Sequence, residues 1–146
     1  MTVRNSVDER TPQVDMGLTD ENAALLGRAF WLMADEYTLK SRDAMAVLGL
    51  NNRATLANHR TKKSIPRTYD AFRRVSLMLG IKKNLELIYP QNAEVRSHWL
   101  HVKRHCFKEM SALEFISDDL LTSQSRIFTV RRLLDMLRNG TVNEVV

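Results

Sequence analysis

The residues best suited to chemistry in this sequence are hydrogen-bonding and basic ones gathered over residues 52–74. In the major groove of DNA, Asn can form two hydrogen bonds to adenine and Arg two to guanine. The candidates for such base reading are Asn52, Arg53, Thr55, Asn58, His59 and Arg60. Lysines and arginines beside them would bind phosphates whatever the sequence; the candidates are Lys62, Lys63, Arg67, Arg73 and Arg74. This segment therefore predicts recognition of double-stranded DNA.

The positive charge of the chain is local. The 146 residues have a net charge of +5 and a pI near 9.7. Residues 40–74 carry nine Lys/Arg against two acids, whereas residues 1–39 have a net charge of −4 and residues 75–146 one of +2. An isolated run of charge is usually a solvated face. A run that coincides with base-reading residues is typical of a nucleic-acid footprint.

Histidines form a second group with possible chemistry, namely His98, His101 and His105, with Cys106 beside them. On one continuous helix the three histidines would share a face, and His and Cys are good zinc ligands. Three basic residues between positions 103 and 108 disfavour a cation, so we expect solvated or packed histidines and no metal. The sequence also lacks a glycine-rich phosphate loop and a nucleophile elbow, so we expect neither an enzyme nor a cofactor.

The helices that must position the base-reading residues follow a helix-turn-helix pattern. Ala44 is small enough for a second helix to approach the first, and Gly49 can make the sharp turn between them. From Gly49 to the apolar residue Leu56 is one residue more than is usual. Either Thr55 takes the anchoring position or the turn contains an extra residue, which leaves two possible registers for the second helix.

The rest of the chain predicts an all-α protein. Helices are expected from Thr19 to Tyr37, from Ser41 to Leu48, on through Leu56 to Lys62, from Ser64-Ile65-Pro66 to Gly80, from Lys82 to Tyr89, from Ala93 to Val102, from Ser111 to Ser117 and from Ser123 to Asn139. The expected organisation is an arm over residues 1–18, a DNA-binding domain over 19–90 and a C-terminal helical domain over 91–146. With one cysteine, no membrane-spanning stretch and no secretory signal, we expect a cytoplasmic protein.

The sequence resembles the Xre/MbcA/ParS-type antitoxins of bacterial toxin–antitoxin operons. The resemblance covers about residues 22–140 and rests on Leu48-Gly49-Leu50 with Thr55-Leu56, on Trp99-Leu100 followed by Ser111-Ala112-Leu113, and on Val130-Arg131-Arg132-Leu133-Leu134 with Gly140. It implies an Xre-like helix-turn-helix followed by a toxin-binding domain. It also implies a RES-domain toxin that consumes NAD, whose active site would be blocked by the last helix and tail of the antitoxin. The toxin contacts that it implies are Arg131, Arg132, Gly140, Val142 and Asn143.

One loop departs from that family. Lys103-Arg104 replaces its Pro-Asn, Lys108-Glu109 replaces two glycines, and Ala112 replaces a proline. We therefore expect this loop to have another conformation, such as a longer helix. The first hypothesis is an antitoxin that represses its own operon as a homodimer or higher oligomer on a palindromic operator. The alternatives are a stand-alone regulator without a toxin and a small metal-dependent enzyme that uses the histidines.

Overall fold

The structure, a computed structural model, describes residues 18–142. In this range the chain forms seven α-helices: α1 (Asp20–Glu36), α2 (Ser41–Leu48), α3 (Arg53–Lys62), α4 (Tyr69–Ile88), α5 (Ala93–Trp99), α6 (Ala112–Ser117) and α7 (Ser123–Arg138). Two 3₁₀ turns lie at His105–Phe107 and Leu120–Thr122, and no strand occurs between residues 18 and 142. The predicted all-α fold is thereby confirmed. The predicted arm lies outside the described residues except for Leu18.

A single apolar core holds the seven helices together. α4 lies at its centre and packs most extensively against α7, with α1 and α2 on its other sides. Residues before and after position 90 contribute to the same cluster; its fully buried members include Phe30, Val47, Val75, Met78, Ile81, Leu85, Leu100, Ile116, Ile127, Val130 and Leu134. The two predicted helical domains therefore share one core, although the division at residue 90 itself stays a prediction.

Side-chain caps explain where several helices begin. The Thr19 hydroxyl accepts a hydrogen bond from the backbone N–H of Asn22 at 3.1 Å, and Asn92 caps α5 in the same way. α6 begins with a capping box, in which Ser111 and Glu114 each accept a hydrogen bond from the other's backbone N–H. These caps satisfy N–H groups that have no partner within the helix.

The prediction for the helix after α3 was wrong at both ends. Ser64-Ile65-Pro66 does not open it, because Ile65 is buried in the core as part of a loop and Thr68 provides the N-terminal cap, accepting from the Ala71 N–H at 3.0 Å. Gly80 does not close it either, since α4 continues to Ile88. Burial of Ile81 and Leu85 outweighs the low helix propensity of one glycine.

α5 ends at Trp99, three residues before the predicted end at Val102. The predicted starts of the last two helices agree with the structure to within one residue. No described helix combines the length and apolar character that crossing a bilayer requires.

Candidate nucleic-acid interface

α2 and α3 are two consecutive short helices joined by a tight turn, at the positions where the sequence predicts a helix-turn-helix. Gly49 ends α2 with φ +73°, a left-handed conformation that glycine adopts without strain. Ala44 is fully buried in the core. Asn52 caps α3 by accepting a hydrogen bond from the Thr55 N–H at 3.0 Å.

The anchor of α3 is Leu56. It is 4% exposed and belongs to the core, whereas Thr55 is only half-buried. Four residues, 49–52, separate the two helices, so the turn holds the extra residue and Thr55 is not the anchor. The side of α3 opposite Leu56 is the one that solvent reaches.

The exposed face of α3 contains three of the predicted base-reading and phosphate-binding residues. Arg53, Asn58 and Lys62 are exposed at successive turns of the helix. Between them lie three exposed small residues that the sequence analysis missed, Ala54, Ala57 and Thr61. The sequence signal for them is a spacing of three or four residues from Arg53 or Asn58, which places them on the same side of the helix. Small side chains let the helix backbone approach base pairs closely, and their methyl groups can contact thymine.

Two predicted base readers contact other parts of the protein; His59 is half-buried, whereas Arg60 stays exposed. His59 Nδ1 lies 2.8 Å from Ser64 Oγ, and burial, with a smaller contribution from nearby Lys62, lowers the pKa of this imidazole from its ordinary 6.5. Arg60 donates to Asp35 of α1 at 2.9 Å, and its guanidinium lies 5.1 Å from the centre of the Trp31 ring. These contacts fix the end of α3 against α1.

Some of the predicted phosphate-binding residues are also free to meet DNA, and others contact the rest of the protein. Lys62 and Lys63 are exposed at the C-terminal end of α3. Arg67 is exposed but hydrogen-bonds to the Leu18 carbonyl oxygen and to Asp20. All three could meet a phosphate, and Arg67 would exchange a solvent-exposed ion pair to do so.

Arg73 is exposed, but Arg74 is buried and the prediction that it contacts phosphate was wrong. Its guanidinium donates to Asp70 at 2.8 Å, to the Ala46 carbonyl oxygen at 3.1 Å and to Ser123 Oγ at 2.6 Å. One side chain thus connects α4, the end of α2 and the start of α7. Its role is structural, because it satisfies buried polar groups on two other helices.

The loop over residues 103–110 is not a longer helix, so that expectation was wrong. Its ends are joined by the bridge between Arg104 and Met110, and it contains one 3₁₀ turn. Lys108 and Glu109 have φ angles of 56° and 66°, both left-handed. The conformation that two glycines would favour is therefore present with two bulkier residues.

Contacts to the rest of the molecule support this loop. The Arg104 guanidinium lies 3.9 Å from the centre of the Trp99 ring, and Phe107 stacks on Phe115 at 4.8 Å. Phe107 is itself buried in the core.

The histidines do not share one helix face, since α5 ends before His101. His101 Nε2 lies 2.8 Å from the Tyr37 carbonyl oxygen, and His105 Nδ1 lies 2.9 Å from Glu109. His98 lines an open groove of about 530 Å³ beside Trp99. Among residues 18–142, no three His, Cys, Asp or Glu side chains come close enough together to hold a metal ion.

The toxin contacts implied by the resemblance lie along α7 and just after it. Arg132 is exposed, and Arg131 is half-buried against α4. Gly140 has φ +76° with open space where a Cβ would lie, and Val142 is half-buried. Asn143 lies outside the described residues. Comparisons with protein-family models, with curated proteins and with solved structures found no match.

Proposed function

We propose that this chain is a cytoplasmic DNA-binding antitoxin. It binds its operator as a dimer through α3, represses its own operon and neutralises a cognate RES-domain toxin that consumes NAD. The observation that carries the DNA-binding part is the exposed face of α3. It presents Arg53, Asn58 and Lys62 around small residues, while Leu56 anchors the opposite side.

Binding to DNA follows from the chemistry of this face. Arg53 and Asn58 can each make paired hydrogen bonds to a base edge, and Lys62 and Lys63 can neutralise phosphates at the end of the helix. A two-fold operator would be matched by a homodimer that places two copies of α3 about one turn of DNA apart.

The toxin-binding part is supported by the loop over residues 103–110. Lys108 and Glu109 have left-handed backbones at the two positions where the resembling antitoxins have glycine. Gly140 is also left-handed, at the end of α7. In the proposed complex, Arg131, Arg132 and the tail that includes Val142 and Asn143 contact the toxin.

A second candidate function is a stand-alone regulator that has the same fold and no toxin. The identity of residues 108 and 109 favours it, because Lys and Glu place charge and bulk where glycines would let a partner approach the backbone. The two candidates share the DNA-binding step and differ only in the partner protein.

Mobility shift and co-expression test the proposal together. The purified chain should shift a duplex from the region upstream of its own gene more strongly than a mixed-sequence duplex. Expression of the neighbouring gene's product alone should stop growth and deplete NAD, and co-expression with this chain should restore both. Operator binding without a neutralised toxin would favour the stand-alone regulator, and the absence of any DNA binding would refute both.

A further inference from the structure

α4 and α7 lie side by side and form one continuous outer face. Asp70 accepts a hydrogen bond from Gln124 at 2.9 Å near the N-terminal end, and Asn84 donates to Asp135 at 2.7 Å toward the other end. Residue numbers rise together along both helices, so the helices run in the same direction. We call this surface the α4–α7 face; it is formed by Tyr69, Arg73, Leu77, Phe128, Arg131 and Arg132.

Apolar side chains lie in the middle of the α4–α7 face. Phe128 is 47% exposed in a shallow groove of about 210 Å³, where Leu77 and Arg73 of α4 form the opposite wall. Tyr69, one turn before Arg73, is about half-exposed. The α4–α7 face thus leaves two aromatic rings partly in contact with water, and aromatic residues are enriched at protein interfaces.

Arginines surround this apolar centre. Arg73 and Arg132 are exposed, and Arg131 lies across Gly80, where an added Cβ would be 2.7 Å from the guanidinium carbon. The two acidic residues of the face, Asp70 and Asp135, lie at its opposite ends, and both accept hydrogen bonds from other residues of this chain. Asp70 bonds to Arg74 and Gln124, and Asp135 to Asn84. The centre of the face therefore carries positive charge suited to a partner with carboxylates.

The composition of the α4–α7 face differs from that of the α3 face. The cations grouped around Phe128 are arginines, next to Phe and Tyr, which is the composition enriched at the energetic centres of protein interfaces. The α3 face instead combines Lys62 and Lys63 with small and polar residues, as phosphate and base contact requires. The two faces therefore fit two different classes of macromolecule.

We propose that the α4–α7 face binds an acidic protein surface, that of the toxin in the proposed pair. An apolar side chain of the toxin packs against Phe128, and toxin carboxylates bind Arg73, Arg131 and Arg132. This inference rests on the proposed antitoxin function. It extends the toxin contact from α7 onto α4, a helix of the DNA-binding half of the chain.

The test measures the affinity of the full-length chain for the purified product of the neighbouring gene. Phe128→Ala and Arg73→Glu should each weaken the Kd by about thirty-fold, the effect of losing an interface hot spot. The matched controls are Leu25→Ala and Arg28→Glu, which change an equally exposed apolar residue and an exposed arginine on α1; both should leave the Kd unchanged. Thermal unfolding of every variant shows that the fold is intact.

The outcomes separate the inference from the function on which it rests. If the wild-type complex forms and Phe128→Ala and Arg73→Glu bind like the wild type, the inference is wrong and the antitoxin function stands. If the wild-type chain does not bind this protein, both are wrong. If Phe128→Ala instead weakens binding to mixed-sequence duplex DNA and spares the protein complex, the face belongs to the DNA interface and the proposal is overturned.

Discussion

The guanidinium of Arg74 lies directly over Gly49. A Cβ built on Gly49 would be 3.1 Å from the Arg74 Cζ and Nε atoms. The same guanidinium bonds to the Ala46 carbonyl oxygen and to Ser123 at the start of α7. The turn between α2 and α3 is therefore held from behind by a side chain that also contacts the C-terminal half, so the position of α3 depends on residues far away in the sequence.

Gly49→Ala should destabilise the protein by more than the left-handed backbone alone explains. A non-glycine residue in this conformation costs about 1–2 kcal/mol, and the methyl group would also press on Arg74. Gly140→Ala is the matched control, because Gly140 has φ +76° and a Cβ built on it would have no neighbouring atom within 4 Å. Urea unfolding of both variants measures the difference. Equal losses of stability would contradict the close contact with Arg74.

Arg53→Ala should relax sequence choice. Loss of paired hydrogen bonds to one base should weaken operator binding by about 1–3 kcal/mol, with a much smaller effect on mixed-sequence DNA. Competition mobility shifts give the ratio of the two affinities. Arg60→Ala serves as the comparison, since Arg60 bonds to Asp35 within the chain. A specificity ratio that falls for Arg60→Ala and not for Arg53→Ala would mean that the assigned reading face is wrong.

Lys62→Ala and Lys63→Ala should weaken binding to all duplexes alike. Each phosphate contact removed should reduce the steepness of log Kobs against log salt concentration by about 0.9. Titrations of a mixed-sequence duplex at several salt concentrations measure this slope. Lys83→Ala removes an equally exposed lysine from α4 and should leave the slope as it is. An unchanged slope in the Lys62 and Lys63 variants would place the DNA elsewhere.

Lys108→Gly and Glu109→Gly should each stabilise the protein by about 0.5–1 kcal/mol. The free energy gained by removing the strain of a left-handed side-chain-bearing residue exceeds the free energy lost because glycine raises the entropy of the unfolded chain. Lys83→Gly, inside α4, should have the opposite sign and cost about 1 kcal/mol. Thermal unfolding of the three variants gives the comparison. Destabilisation by glycine at both loop positions would show that the loop has another backbone.

Acid should destabilise the protein through His59. Burial lowers the pKa of His59 in the folded state below 6.5, so the unfolded chain binds a proton more readily. Above pH 6.5 both states are neutral and this penalty is absent; it grows as the pH falls toward the folded pKa and is complete below it. The wild-type Tm should therefore decline over that interval more steeply than the Tm of His59→Gln. Parallel pH profiles for the two proteins would contradict this assignment.

Local chemistry made much of this fold predictable from sequence. Gly49 as a helix end, Asn52 as a cap and the apolar stripe of Ile127, Val130 and Leu134 depend on neighbours within one turn. The sequence alone did not decide whether Leu56 or Thr55 anchors α3, because only burial against the core distinguishes these two registers.

The errors arose where distant residues decide the outcome. Arg74 has the same local surroundings as the exposed Arg73, and only the positions of Ala46 and Ser123 make it a buried connector. Gly80 looked like a helix end because burial of Ile81 and Leu85, which continues α4 past it, depends on packing against other helices. The ion pair of Arg60 was also missed because its partner Asp35 is on α1; that Arg60 reads a base stays a prediction.

The shared core has a consequence for the life of this protein in the cell. α4 follows directly from α2 and α3, yet it packs more extensively against α7 than against any other helix. We expect that a protease that cut away the C-terminal half would uncover the apolar side of α4 and thereby unfold α2 and α3 as well. In the proposed function, repression of the operon and neutralisation of the toxin therefore end together when the protein is degraded. The same proteolytic event that frees the toxin also reopens the operon.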